Sequence, residues 1–106
     1  MNEQQRLQII ADITDMLRTV FDPEIPADIY SLGLVYGIDL SDDGTAHIVM
    51  TLTAPGCPMA DFIMEDIRGK AGSVNGVENV EVELVFEPEW TPDMMSEEAR
   101  LELGMI

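Results

Sequence analysis

The apolar residues of this chain change their spacing three times, and each change bounds what the segment can become. Between Glu3 and Val20 the residues Ile9, Ile10, Ile13, Met16, Leu17 and Val20 recur near every 3.6 positions, with Asp12, Asp15 and Arg18 between them. That period predicts an amphipathic helix. The spacing then falls to two. In "LVYGIDL", residues 34–40, Leu34, Tyr36, Ile38 and Leu40 alternate with Val35, Gly37 and Asp39; in "TAHIVMTLT", residues 45–53, Ala46, Ile48, Met50 and Leu52 alternate with Thr45, His47, Val49, Thr51 and Thr53. Both read as strands with one buried face, and the "SDDG" between them supplies a hairpin turn.

Helical spacing returns in "PMADFIMEDIRGKAG", residues 58–72, where Met59, Ile63 and Ile67 form a stripe flanked by Ala60, Met64 and Ala71, with Gly72 placed to end the helix. A third alternation follows in "VEVELVF", residues 80–86, with Val80, Val82, Leu84 and Phe86 on the apolar face. The tail holds a loop and a short helix: Pro92 suits a first turn, Ser96 an N-cap and Gly104 a stop. The order α-β-β-α-β-α, with three one-faced strands and helices to cover them, predicts an α+β fold of two layers with a small three-stranded mixed sheet. The helix between the second and third strands permits a right-handed parallel crossover. At 106 residues the chain has the size of a single domain, residues 1–106.

One segment resists this periodicity. "FDPEIPADIYSLG" carries two prolines that push the residue before each out of the helical region, so it reads as a loop from about Phe21 to Leu32. Its length calls for apolar anchors, and Phe21, Ile25, Ile29 and Tyr30 are expected to supply them.

Charge narrows the partners. With 21 Asp and Glu against 5 Lys and Arg the formal net charge is −16, so nucleic acid and anionic membrane surfaces are poor partners. The acidity either serves solubility or forms a docking face for a basic protein. No apolar window approaches the ~20 residues of a spanning helix. The N-terminal "MNEQQRLQII" lacks the features of a secretory signal, so a cytoplasmic location is expected.

The single cysteine, in "TLTAPGCPMADFIMEDI", can close no intrachain disulfide, and no zinc-module spacing surrounds it. Pro58 fits the first position of the second helix, which sets Cys57 at or next to its N-cap, where backbone N–H groups and the helix dipole favour a thiolate. Gly56 permits a tight turn that leaves the sulfur accessible. The competing reading is an inert, half-buried cysteine at a turn. His47 lies on the polar side of its strand, a span of roughly 20–30 Å from the cysteine loop at ~3.3 Å per residue, so a Cys–His hydrolase pair is not expected.

An iron–sulfur cluster normally takes four cysteine ligands. Cys57 would therefore share a cluster with a second chain and small thiols, hold iron together with Asp22, Glu24 or Asp61, or hand on metal, sulfur or a disulfide transiently. Asp22 could equally fix its own loop through backbone N–H groups. The stretch "DLSDDGTAHIVM", residues 39–50, opens like a calcium-binding loop, but Met50 stands where the bidentate glutamate belongs, so it reads as a hairpin turn. Trp90 is expected to cover one end of the second helix's layer.

"DPEIP" after a first helix, "SLGLVYGIDL", "TLTAPGCP" opening a second helix and "EPEWTPDMMSEEARLELG" at the end resemble the iron–sulfur cluster assembly domain family that includes the SufT and PaaD-like proteins. The resemblance implies a non-enzymatic accessory in maturing iron–sulfur proteins, which carries iron or cluster transiently or docks apo-targets. It implies a functional role for Cys57, and it maps the family's Asp-Pro-Glu stretch onto Asp22, Pro23 and Glu24. Pro23, Thr53, Gly56 and Pro58 would shape the loops, with Asp61 a further contact to metal or partner. The implied partners are an assembly scaffold or apo-proteins, with a homodimer attractive because each chain offers one thiol. PaaD-like members commonly add a cysteine-rich C-terminal segment, which is not seen here. The rival readings are a metal-free acidic adaptor, a PaaD-like assembly factor for a multicomponent oxygenase, and a thiol–disulfide or sulfur-transfer catalyst that borrows a resolving cysteine.

Overall fold

A computed structural model describes residues 1–23, 25–53 and 58–104. Its elements follow the expected order: α1 (Glu3–Leu17), β1 (Val35–Leu40), β2 (Thr45–Met50), α2 (Ala60–Gly72), β3 (Asn79–Leu84) and α3 (Glu97–Glu102), with a 3-10 turn at Pro92–Met94. A capping box starts α1: the Asn2 side chain accepts from the Gln5 N–H at 2.7 Å, and the Gln5 side chain accepts from the Asn2 N–H at 2.9 Å. The helix stops short of Val20 because the N–H groups of Thr19 and Val20 reach back only three residues, to Met16 and Leu17, and tighten the last turn. Val20 is buried all the same.

The sheet runs β1-β2-β3, antiparallel between β1 and β2 and parallel between β2 and β3, with α2 as the crossover. The two longer helices pack together, α1 also against β1 and α2 against β3. Ile13 and Leu17 of α1, Ile48 and Met50 of β2, and Ile63 and Ile67 of α2 are all buried in one core. Each such side chain contributes about 1.5–3 kcal/mol of hydrophobic stabilisation.

The expected alternation in the first strand breaks. Leu40 lies opposite Ala46 and Ile38 opposite Ile48, but Gly37 then faces Val49 and Val35 faces Met50, which leaves Tyr36 as the additional residue of a β-bulge. The inserted residue reverses the facing of Val35, the strand residue before it, while Leu34, ahead of the strand, is buried as expected. Val35, expected on the polar side, therefore packs on the core beside Met50, while the Tyr36 hydroxyl donates to the Pro88 carbonyl at 2.8 Å.

The start of the second helix differs as well. Its N-cap is Met59, at φ −97° and ψ 9°, and the first helical residue is Ala60, so Pro58 precedes the helix instead of occupying its first position. Met59, expected in the buried stripe, is 39% exposed at that cap. Cys57 and Gly56, which the expected start would have put beside the N-cap, lie outside the described residues, as does Glu24.

The loop from Phe21 is held differently from expectation. Phe21 and Tyr30 are exposed; Ala27, Ile29 and Leu32 are the buried anchors, with Ile25 partly buried against them. Tyr30 instead carries the Arg18 guanidinium 4.7 Å from its ring centre. The loop is tied down by the tail: the Ser96 N–H donates to the Ser31 carbonyl at 2.8 Å, and Gly33, at φ +80°, lies against the Met94 carbonyl. Trp90 belongs to the same tie and packs against the core: its indole N–H donates to the Leu32 carbonyl at 2.7 Å.

At the β1–β2 turn the Asp43 carboxylate accepts from the Ser41 hydroxyl and from the Thr45 N–H, and Gly44 adopts φ +87°. These bonds, the Ser41 one foremost, hold the Asp43 carboxyl below its ordinary range. The calcium-loop look-alike is a hairpin turn. Ser96 caps α3 by accepting from the Ala99 N–H at 3.1 Å, and Gly104 turns out of it at φ +73°. No helix among the described residues is long and apolar enough to cross a membrane.

Candidate functional site

Because β2 and β3 are parallel, their carboxyl ends come out side by side, with Met50 paired to Leu84 and the Val85 N–H donating to the Met50 carbonyl at 2.8 Å. The chain leaves β2 as Thr51–Thr53 and leaves β3 as Phe86–Trp90. Between the two exits lies a cleft of about 270 Å³, walled by Leu52, Phe86 and Trp90 and edged by Thr53, Glu87 and Glu89. The outer end of parallel strands is where open α/β sheets receive ligands, since neighbouring loops diverge there.

Thr51, 1% exposed, forms the floor; its N–H donates to the Leu34 carbonyl at 2.8 Å. Partial burial pushes the Tyr36 phenol above its ordinary pKa of 10.0, while the neighbouring Thr51 hydroxyl pulls weakly the other way. The cleft is apolar and aromatic within and acidic at its rim.

The expected site residues divide into three groups. Thr53 is half-buried and lines the cleft; Cys57 follows it by four positions of sequence, outside the described residues with Gly56 and Glu24. Pro58 and Asp61 are exposed, the latter in the first turn of α2. Asp22 is 6% exposed: its carboxylate accepts from the Ile25 N–H at 2.9 Å, and its own N–H donates to the Ala27 carbonyl at 3.1 Å, with the exposed Pro23 beside it. Among the described residues, no three His, Cys, Asp or Glu side chains converge as a metal-binding group.

His47 stays on the outer face of the sheet, as expected, with Nε2 3.0 Å from the Glu83 carboxylate. Sequence reasoning missed Glu87 and Glu89, and it placed Phe86 on the buried face of the third strand, where the structure ends β3 two residues earlier and leaves Phe86 44% exposed. The signal was present: "FEPEW" directly follows the strand that a crossover helix makes parallel to β2.

The fold and cleft define a class, a small two-layer α+β domain with a cleft at the ends of its parallel strands. The chain belongs to the iron–sulfur cluster assembly protein family, whose profile matches residues 10–84. This bears out the resemblance read from its motifs. The chain is 60% identical over 100 residues to the Fe-S protein maturation auxiliary factor of Porphyromonas gingivalis, a match covering 94% of this chain and 95% of that one. It is 41% identical over 86 residues to the Fe-S protein maturation auxiliary factor SufT of Staphylococcus aureus, 81% of this chain and 98% of that one. Its fold superposes with a TM-score of 0.91 on the crystal structure of a domain of unknown function, DUF59, from Bacillus anthracis, at 35% identity over 99% of this chain and 100% of that one.

Proposed function

We propose that this chain, acting as a single domain, is an accessory factor in iron–sulfur cluster assembly and the maturation of iron–sulfur proteins, with the Cys57 thiolate as its contact to iron or cluster. One observation carries this reading: 60% identity, along almost the full length of both chains, to a protein named a maturation auxiliary factor. The metal or cluster is cargo. A lone thiol supplies one of the four ligands a cluster normally takes, so the cargo is held transiently and shared with a partner or a second copy of the chain. In such a transfer the iron–thiolate bond to Cys57 is exchanged for a bond to a ligand of the acceptor and the cargo leaves unchanged, so the role is that of a carrier and non-enzymatic.

Asp22, Glu24 and Asp61 shape or complete the site, and Pro23, Thr53, Gly56 and Pro58 set the loops that hold it. The partners are an assembly scaffold or apo-proteins in the cytoplasm. The test uses cells lacking the gene, with aconitase activity as readout, complemented by the wild-type chain or by Cys57→Ala. Rescue by wild type alone, with the variant folded and equally abundant, is the expected result. Equal rescue by Cys57→Ala would remove the thiol from the function.

A further inference from the structure

We propose that the cleft at the carboxyl ends of β2 and β3 receives an arginine or lysine side chain presented by an extended segment of a partner protein. The apolar wall of Phe86 and Trp90 suits the aliphatic stem of such a side chain, which packs on apolar surface while its head stays among polar groups. An aromatic wall also attracts the cation itself, a guanidinium above all.

Charge selects the head group. Among the described residues Glu87 and Glu89 are the ionisable groups that line the cleft, both exposed, and neither enters an ion pair. Four of the chain's five Lys and Arg side chains are engaged elsewhere, and the fifth, Arg100, enters no ion pair with Glu87 or Glu89. Arg6 pairs with Glu3, Arg68 with Glu65 and Lys70 with Asp66, while Arg18 lies over Tyr30. Among the described residues no cation of the chain pairs with Glu87 or Glu89, so both carboxylates are open to a cation from a partner. A free metal ion fits less well, because no three ligating side chains converge among the described residues and an aromatic wall offers a metal nothing.

The cleft is lined by Thr53, which precedes Cys57 by four positions of sequence. That the partner is a scaffold or client of cluster assembly rests on the function proposed above; the binding does not.

Trp90 is the single tryptophan of the chain, so its fluorescence reports on the cleft. The full chain is titrated with the peptide Ac-Ala-Leu-Arg-Leu-Ala-NH2 and with the same peptide carrying citrulline, which keeps the shape of arginine without its charge. The expected result is saturable binding of the arginine peptide, weakened about five- to tenfold by citrulline and to a similar degree by Glu87→Gln with Glu89→Gln. Glu81→Gln with Glu83→Gln, on the outer sheet face, changes the affinity by less than about twofold. Cys57→Ala leaves it unchanged, so failure of the thiol reading and failure of the cleft reading are separate results. No saturable response, equal binding of the citrulline peptide, or equal weakening by the sheet-face pair would overturn the proposal, the last by reducing it to general attraction towards an acidic chain.

Discussion

The indole N–H of Trp90 donates to the carbonyl oxygen of Leu32 across 58 positions of sequence, at 2.7 Å. With the Ser96-to-Ser31 bond it fastens the proline-bearing loop to the tail, and the same indole forms part of the cleft wall. Trp90→Phe keeps a ring against the core but leaves a partly buried carbonyl without its donor. The expected cost is about 1–3 kcal/mol, measured by urea unfolding followed by far-UV circular dichroism. A loss below about 0.5 kcal/mol would show that water replaces the donor and that the loop is held by its other contacts.

Gly33 carries the other half of that tie. It sits at φ +80°, and a Cβ there would lie 2.3 Å from the Met94 carbonyl oxygen. Gly33→Ala therefore combines backbone strain with a clash against main chain, and the expected loss exceeds about 2 kcal/mol, a fall in melting temperature on the order of 10 °C for a chain of this size. Gly37→Ala is the control, since an added Cβ meets nothing within 4 Å. Comparable melting temperatures for the two variants would show that the tail moves away from Gly33 at little cost.

Elements whose signal is local were legible in the sequence: the period of Ile9–Ile13–Leu17, the alternation from Ala46 to Met50, Ser96 as a cap and Gly104 as a stop. What was not legible depends on neighbours that periodicity cannot see. The bulge at Tyr36 arises from pairing with β2, and its effect is to exchange the roles of Val35 and Tyr36. Met59 has the spacing of a core residue, but the helix begins at Ala60, two positions after Pro58, so Met59 becomes an exposed cap. The cleft was invisible for the same reason. Glu87 and Glu89 read as an exit loop until the parallel pairing of β2 and β3 sets that loop beside Thr53. The family motifs pointed to Cys57 and Asp22 without this geometry, because a motif needs only sequence order.

Acid should weaken the β1–β2 turn. Hydrogen bonds from Ser41 and Thr45 lower the folded-state pKa of Asp43 below its ordinary value of 3.8. A carboxyl depressed by folding stabilises the native state fully above its unfolded pKa, and the contribution disappears as pH falls through the folded pKa. The stability difference between wild type and Asp43→Ala is therefore constant from about pH 7 to pH 5 and narrows below about pH 4. A difference independent of pH down to about pH 2 would mean that the carboxylate's charge contributes nothing to the turn. Millimolar calcium should leave the melting temperature unchanged, since Asp43 is committed to the turn and Met50, at the twelfth position, is buried.

Asp22 separates the shaping of the site from contact with its cargo. The side chain is 6% exposed and its carboxylate accepts from the Ile25 N–H at 2.9 Å, a bond that ties Ile25 back to Asp22. Asp22→Ala removes the acceptor and should cost about 1–2 kcal/mol, whereas Asp22→Asn keeps an oxygen in place and should cost less than half of that. If Asp22 shapes its loop, Asp22→Asn also restores aconitase activity in the deletion strain, which is the outcome its burial and its bond to Ile25 lead us to expect. A variant that is folded, as stable as wild type within about 0.5 kcal/mol and yet unable to restore activity would assign the negative charge itself to metal or partner. Stability and rescue are read on the same two variants, so a loss of function through unfolding is distinguishable from a loss of charge.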